Sequence, residues 1–243
     1  MNGLRKTGLL FKVAVIVFLS LSLSSEPVSS FDHESARKRM IKEQLVNRGI
    51  HDTTVLGAMA KVPRHLFVPA EYAHRAYSDS ALPIKENQTI SQPYIVALMT
   101  QSANLNAKDR VLEIGTGSAY QAAILGEIVK EVYTIEIIQP LYKQASRFLK
   151  NLGYKNVFTR LGDGYQGWQD KSPFDAILIT AAAPKIPKPL VDQLKVGGRM
   201  VLPLGEGRFS QDLMVITKQE DGTLTKQYIT GVVFVPMTGK VRK

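Results

Sequence analysis

The spacing of apolar residues changes several times along the chain, and each change marks an element. From 32 to 48 it is helical, with Ala36, Met40, Ile41 and Leu45 on one side. Asp32 suits the start of that helix and Gly49 its end. Asp52 opens a second helix that runs to Lys61, and Pro63 stops it. The stretch "PRHLFVPAEYAHRAYSDSALPI" keeps neither period and reads as an irregular connector, too apolar to stay solvated. A third helix is expected from Pro93 to Ala103. Beyond it, strands over 110–114, 131–136, 156–161, 174–180 and 198–203 are interleaved with helices over 119–129, 140–151 and 187–195. Such alternation through short loops builds a parallel sheet covered on both faces. The last part differs, with two strand-like runs joined at Asp221-Gly222, a hairpin signal. The expected fold class is therefore α/β, with a helical part over 32–103 and the sheet over 104–243.

Composition narrows the chemistry. The 243 residues are 44% hydrophobic and 21% charged, enough for one domain with a substantial core. The absence of cysteine excludes disulfides, thiolate zinc sites and cysteine nucleophiles. All four histidines lie before residue 75, so the sheet has no imidazole base to offer. The net charge of +10 fits a polyanion, an acidic substrate or a solvated surface equally. At the N-terminus, Arg5, Lys6 and Lys12 flank the run "VAVIVFLSLSL" (13–23), and Val28 and Ser30 suit a cleavage site before Phe31. That run is far shorter than the roughly 20 residues a spanning helix needs, so residues 1–30 read as a signal or short anchor, and 31–243 as the working domain.

The stretch "VLEIGTGSAYQAA" (111–123) reads as a strand, a glycine-rich turn and a helix. A dinucleotide site wants a third glycine where this chain has Tyr120, and a P-loop wants a lysine that does not come until Lys130. Both phosphate readings weaken. The turn instead lets backbone approach an uncharged or cationic ligand closely, with Glu113 two residues ahead of it. Glu136 ends the second strand of the sheet, 21 residues after Gly115, where a carboxylate can accept both ribose hydroxyls; Asp163, in "LGDGYQG", can accept an adenine amino hydrogen. All three carboxylates fall at the carboxyl edge of the sheet, where open α/β sheets bind ligands. Together they read as a nucleoside site.

A nucleoside ligand without phosphate is S-adenosylmethionine (AdoMet), and the chain resembles the protein-L-isoaspartate O-methyltransferase family over nearly all of 39–237. The resemblance rests on "VPRHLFVP", "AYSDSALPI", "QTISQPYIVALMT", the glycine turn, "GDGYQGW", "PFDAILITAAAPKIPKPLVDQLKVGGRMVLPLG" and "VVFVPM", in order. It implies a single-domain, Rossmann-like methyltransferase fold with a seven-stranded sheet, AdoMet as cofactor and no metal. It implies Ser91 as the active-site residue. Cofactor contacts would come from the loop Ile84 to Asn87 and from Gly115, Gly117, Glu136, Asp163 and Gly164, with Thr238 beside the substrate peptide. One departure is Ala119, where the family usually has glycine; an added methyl there puts cofactor affinity in question.

The implied reaction esterifies the α-carboxylate of L-isoaspartyl residues in damaged proteins and peptides, which starts their repair. Nucleic acid is not an expected partner, a monomer is expected, and membrane contact would come only through residues 4–30 if they are retained. RNA or DNA methylation is the rival reading: the cysteine route to cytosine C5 is closed, and after the fourth strand "ITAAAP" offers only Thr180 to hold a base amine. A non-catalytic AdoMet-binding envelope protein is the other. Because AdoMet is made and kept in the cytoplasm, activity is expected there, against the signal-like reading of the N-terminus.

Overall fold

The computed structural model describes residues 31–207 and 210–239, and 32–243 cluster as one compact unit. The signal or anchor reading of 1–30 lies outside the described residues. Helix α1 (His33–Arg39) is capped by the Asp32 carboxylate, which accepts from the backbone N–H of Glu34 and Ser35. The helical path continues as a π turn (Met40–Leu45) and a 3-10 turn to Arg48, ended by left-handed Gly49 at φ 88°. The π turn has a packing reason: Met40 and Leu45 are both buried, and a five-residue interval returns to the same face only at π spacing. Asp52 caps α2 (Thr53–Lys61) as expected.

The connector contains two 3-10 turns and a small hairpin of β1 (Leu82–Pro83) and β2 (Thr89–Ile90). Glu86 and Asn87 form its tip at φ 59° and 54°. Helix α3 (Pro93–Ser102) then leads to the sheet. Its elements are β3 (Arg110–Ile114), α4 (Tyr120–Gly126), β4 (Glu131–Glu136), α5 (Gln139–Asn151), β5 (Val157–Leu161), β6 (Phe174–Ile179), α6 (Lys188–Gln193), β7 (Leu194–Leu204), β8 (Gln211–Lys218) and β9 (Leu224–Val232).

The seven strands lie in the order β5-β4-β3-β6-β7-β8-β9. The first five are mutually parallel, while β8 runs antiparallel to both β7 and β9. The Asp221-Gly222 hairpin forms between β8 and β9, with Gly222 at φ 82° and the Asp221 carboxylate accepting from the Thr223 N–H. β7 begins four residues earlier than the periodicity predicts, because a register shift opposite Phe174/Ala176 lets the strand absorb Gly197 and Gly198. Alternate side chains feed two cores. Val111 and Val132 pack under the N-terminal helices, α4 and α5, whereas Leu112, Tyr133 and Ile177 pack under α6.

The chain leaves β3 outward to β4 and β5, then returns to β6 on the other side of β3. Strand order reverses there, so the loops after β3 and β6 diverge and leave a crevice at the carboxyl edge.

Candidate functional site

That crevice is a cleft of about 900 Å³, open mouth included. Its floor is the turn after β3. The Gly115 and Thr116 N–H groups both donate to the Ile135 carbonyl, tying the turn to β4. Gly115 and Gly117 have φ of 99° and 51°, in the left-handed region. A Cβ on Gly115 would fall 2.6 Å from Thr180 Oγ1. That hydroxyl, one residue past β6, donates to the Gly115 carbonyl at 2.8 Å and also lies 3.0 Å from the Ile114 carbonyl. The turn is thus locked from β4 on one side and from β6 on the other.

Two carboxyl groups line the cleft, Glu136 and Glu113. The Glu136 carboxylate is 5% exposed and accepts from Gly117 N at 2.8 Å and Ile138 N at 2.9 Å. Both oxygens keep lone pairs for a further donor. Glu113 is fully buried: its Oε2 accepts from Thr134 Oγ1 at 2.5 Å, and its Oε1 has no partner. Thr134 in turn lies 2.7 Å from the Thr116 hydroxyl. Burial, with the Glu136 charge adding to it, pushes the Glu113 carboxyl up to about 8.

The opposite wall comes from Gln88 to Ser91 and from Val235 to Thr238. Ser91 is half-buried and precedes α3, whose N-cap is Gln92 with no side-chain hydrogen bond, so capping does not occupy the serine. Gln92 is anchored instead: its amide donates to Asp79 Oδ1 at 2.6 Å, and Asp79 also accepts from Arg48. The 235–238 segment is stitched to the loop after β6 by Ala182 N to Val235 O and Met237 N to Ala182 O, each 2.8 Å. A second groove, between Ala81, Gln92 and Ile95 and the Gly231–Phe234 stretch, shares Thr89, Ser91, Thr180 and Val235 with the cleft.

Of the residues expected at the site, the structure brings Ser91, Gly115, Gly117, Glu136, Gly164 and Thr238 to one cleft. Ile84 lines a neighbouring depression on the far side of Gly117, and Asn87 is exposed at the hairpin tip. Asp163 caps the 3-10 turn after β5 through Tyr165 N, with Gly239 packed so tightly against its carboxylate that a Cβ there would fall 2.5 Å from Oδ1. Ala119 does not face the cleft. It is fully buried in the core beneath the N-terminal helices at φ 71°. The usual glycine is thus explained by backbone conformation, and the expected crowding of the cofactor is corrected. Sequence reasoning gave Thr180 no part in the turn, because a separation of 65 positions from Gly115 hides their contact.

The glycines, the Thr180 lock and the remaining lone pairs of the Glu136 carboxylate fit a nucleoside-bearing cation, and with the strand order they match an AdoMet-dependent methyltransferase. The profile of the protein-L-isoaspartate(D-aspartate) O-methyltransferase family matches residues 35–242. The chain belongs to that family. It is 52% identical over 232 residues to protein-L-isoaspartate O-methyltransferase 2 of Shewanella sediminis, covering 95% of each chain. It is 53% identical over 205 residues to the Geobacter metallireducens protein-L-isoaspartate O-methyltransferase, covering 84% of this chain and 94% of that one. Among solved structures, a Plasmodium falciparum chain described as a protein-L-isoaspartate O-methyltransferase, in complex with S-adenosyl-L-homocysteine, superposes with a TM-score of 0.71 at 26% identity, covering 85% of this chain and 98% of that one.

Proposed function

We infer that the cleft transfers the methyl group of AdoMet to the free α-carboxylate of an L-isoaspartyl residue in a damaged protein or peptide. The observation that carries this reading is the sharing of Thr89, Ser91, Thr180 and Val235 by two adjoining spaces, which gives donor and acceptor a common wall. AdoMet supplies an electrophilic methyl on a sulfonium: a new O–CH3 bond forms, the S–CH3 pair stays on sulfur, and a neutral ester and a neutral thioether remain. The chain's own residues hold and orient. Gly115, Gly117, Glu136 and Gly164 form the donor side, and Asp163, Ile84 and Asn87 lie close enough around it to complete it by loop adjustment.

No general base is required, because an α-carboxylate with a reference pKa of ~3.3–3.7 is already ionised at neutral pH. What remains is alignment, worth up to ~7–11 kcal/mol when two reactants are held in attacking geometry. Ser91 is assigned to donating one hydrogen bond to the acceptor carboxylate, and Thr238 to flanking the peptide. The isoaspartyl linkage places its carboxylate at a different distance from the chain than aspartate does, so a groove that grips backbone discriminates by geometry. We place the activity in the cytoplasm, where AdoMet is available, and in a monomer. Among the described residues no helix is long and apolar enough to cross a membrane.

The test is tritiated-methyl transfer to an L-isoaspartyl peptide, its aspartyl counterpart and an RNA. Labelling of the first alone is expected; equal labelling of both peptides, or of RNA alone, would overturn the reading. Mass spectrometry of fractionated cells, locating the mature N-terminus, tests the cytoplasmic placement.

A further inference from the structure

Ser91 lies between β2, which is only two residues long, and the start of α3, so its setting depends on how α3 is held. Two side chains at the start of that helix lead to one arginine. The Gln92 amide donates to Asp79 Oδ1 at 2.6 Å and to the Asp79 carbonyl at 3.2 Å. The Asp79 carboxylate accepts in turn from Arg48 Nη1, at 3.1 and 2.9 Å to its two oxygens. The Arg48 guanidinium lies over the Tyr94 ring, 3.5 Å from its centre, and the Arg48 carbonyl accepts from the Tyr94 hydroxyl at 3.4 Å. We propose that Arg48 is a positioning residue for methyl transfer: by gripping Asp79 and Tyr94 together it sets the start of α3, and with it the Ser91 hydroxyl, for the acceptor carboxylate. The proposal rests on the methyl-transfer reading above and on the role given there to Ser91.

The far end of α3 is fastened to the same stretch of chain. Gln101 Oε1 accepts from the His51 and Asp52 backbone N–H groups at 2.8 and 2.9 Å, and the Gln101 amide donates to the Gly49 carbonyl at 3.2 Å. Residues 48–52 thus hold the helix at both ends. Arg48 and Asp79 are 40% and 43% exposed, and an exposed ion pair adds little to stability. This one nevertheless has a fixed geometry, because the Tyr94 ring carries the guanidinium and Gln92 shares the carboxylate. An interaction that contributes little to folding but fixes the residue next to Ser91 acts on orientation. Orientation is what an already ionised nucleophile needs, since a misplacement of about an ångström can cost ~100-fold in rate. Arg48 itself lines neither the cleft nor the adjoining groove, so its influence on the acceptor passes through Asp79, Gln92 and Tyr94.

The test is steady-state methyl transfer to an L-isoaspartyl peptide by the full chain carrying Arg48→Ala, in the wild-type and in the Ser91→Ala background, with AdoMet affinity and Tm measured alongside. In the wild-type background kcat should fall about fivefold or more. AdoMet affinity should stay within about twofold, and Tm should drop by no more than about 2 °C. In the Ser91→Ala background the same change should lower kcat by less than about twofold, because the group being positioned is gone. Arg48→Lys keeps the charge but not the planar group lying on Tyr94, so its loss should be smaller and show the same dependence on Ser91. An unchanged kcat in Arg48→Ala would overturn the proposal. So would an equal fold-loss in both backgrounds, which marks a purely structural role, or a parallel fall in AdoMet affinity. If the wild-type chain methylates the isoaspartyl peptide and Arg48→Ala does so equally well, only the positioning role fails; if the wild-type chain binds AdoMet and methylates no such peptide, the reading beneath it fails.

Discussion

The wall of the cleft that carries Gly115, Gly117 and Glu136 and the wall that carries Ser91 and Thr238 meet across one space, but they are built from different material. The donor wall is the ends of neighbouring parallel strands, with the turn fastened to Thr134, Ile135, Glu136 and Thr180 by hydrogen bonds of 2.7–3.3 Å and its supporting side chains buried apart from the half-buried Thr180. The acceptor wall is two-residue strands, an Asp79–Gln92 tether exposed to solvent, and a segment after β9 held mainly by its backbone, with Val233 69% exposed. The contrast matches what each side must recognise. The donor is one invariant molecule and rewards a rigid site. The acceptor is a damaged residue in whatever sequence surrounds it, and backbone contacts with solvent-facing side chains accommodate many neighbours.

If the donor wall is rigid, its tightest point should tolerate least. Gly115→Ala places a methyl 2.6 Å from Thr180 Oγ1 at a φ of 99°, and we expect AdoMet affinity to fall at least 100-fold by calorimetric titration while a folded protein remains. Glu136→Ala should come next, weakening AdoMet about tenfold or more, because a hydrogen bond to a charged group contributes ~1.5–3 kcal/mol. An unchanged dissociation constant would remove Glu136 from the donor wall. On the acceptor side, Ser91→Ala should lower kcat for the isoaspartyl peptide about tenfold and leave AdoMet affinity within twofold; loss of both together would erase the distinction between the walls. The smallest effect belongs to Ala119→Gly. Relief of left-handed strain, ~1–2 kcal/mol, is largely offset by the lost buried methyl, ~0.8 kcal/mol, and by the extra chain freedom of glycine. Calorimetry should show Tm rising by about 1–2 °C with AdoMet affinity unchanged. Weaker AdoMet binding would mean that Ala119 faces the ligand after all.

The donor wall was also the more legible of the two. Gly115, Gly117 and Glu136 stand on consecutive elements whose hydrophobic periods are strong, so counting along the chain places them on one sheet edge. Asp32, Gly49 and Asp52 were readable for a similar reason, since caps act on the next few backbone groups. The β1–β2 hairpin was not, because two-residue strands have too few positions to display a period. Nor was the long start of β7, where a register shift with β6 decides. The conformation of Ala119 was equally hidden: the missing glycine is visible in sequence, but whether its replacement meets ligand or core depends on which way a left-handed residue turns the start of α4. Only the resemblance pointed to Ser91: a serine two residues before Pro93 is also a helix-capping pattern, and the structure gives the N-cap of α3 to Gln92 instead.

The lock between Gly115 and Thr180 has a consequence for how this sequence can change. In substitution space the two positions are unequal. With threonine at 180, any side chain at 115 collides with its hydroxyl; with the hydroxyl removed, the carbonyl of the turn loses its donor. Changing position 180, 65 positions away, relieves the collision but not the strain of a side chain at φ 99°, so position 115 stays closed to substitution while position 180 is held only by one hydrogen bond to the turn.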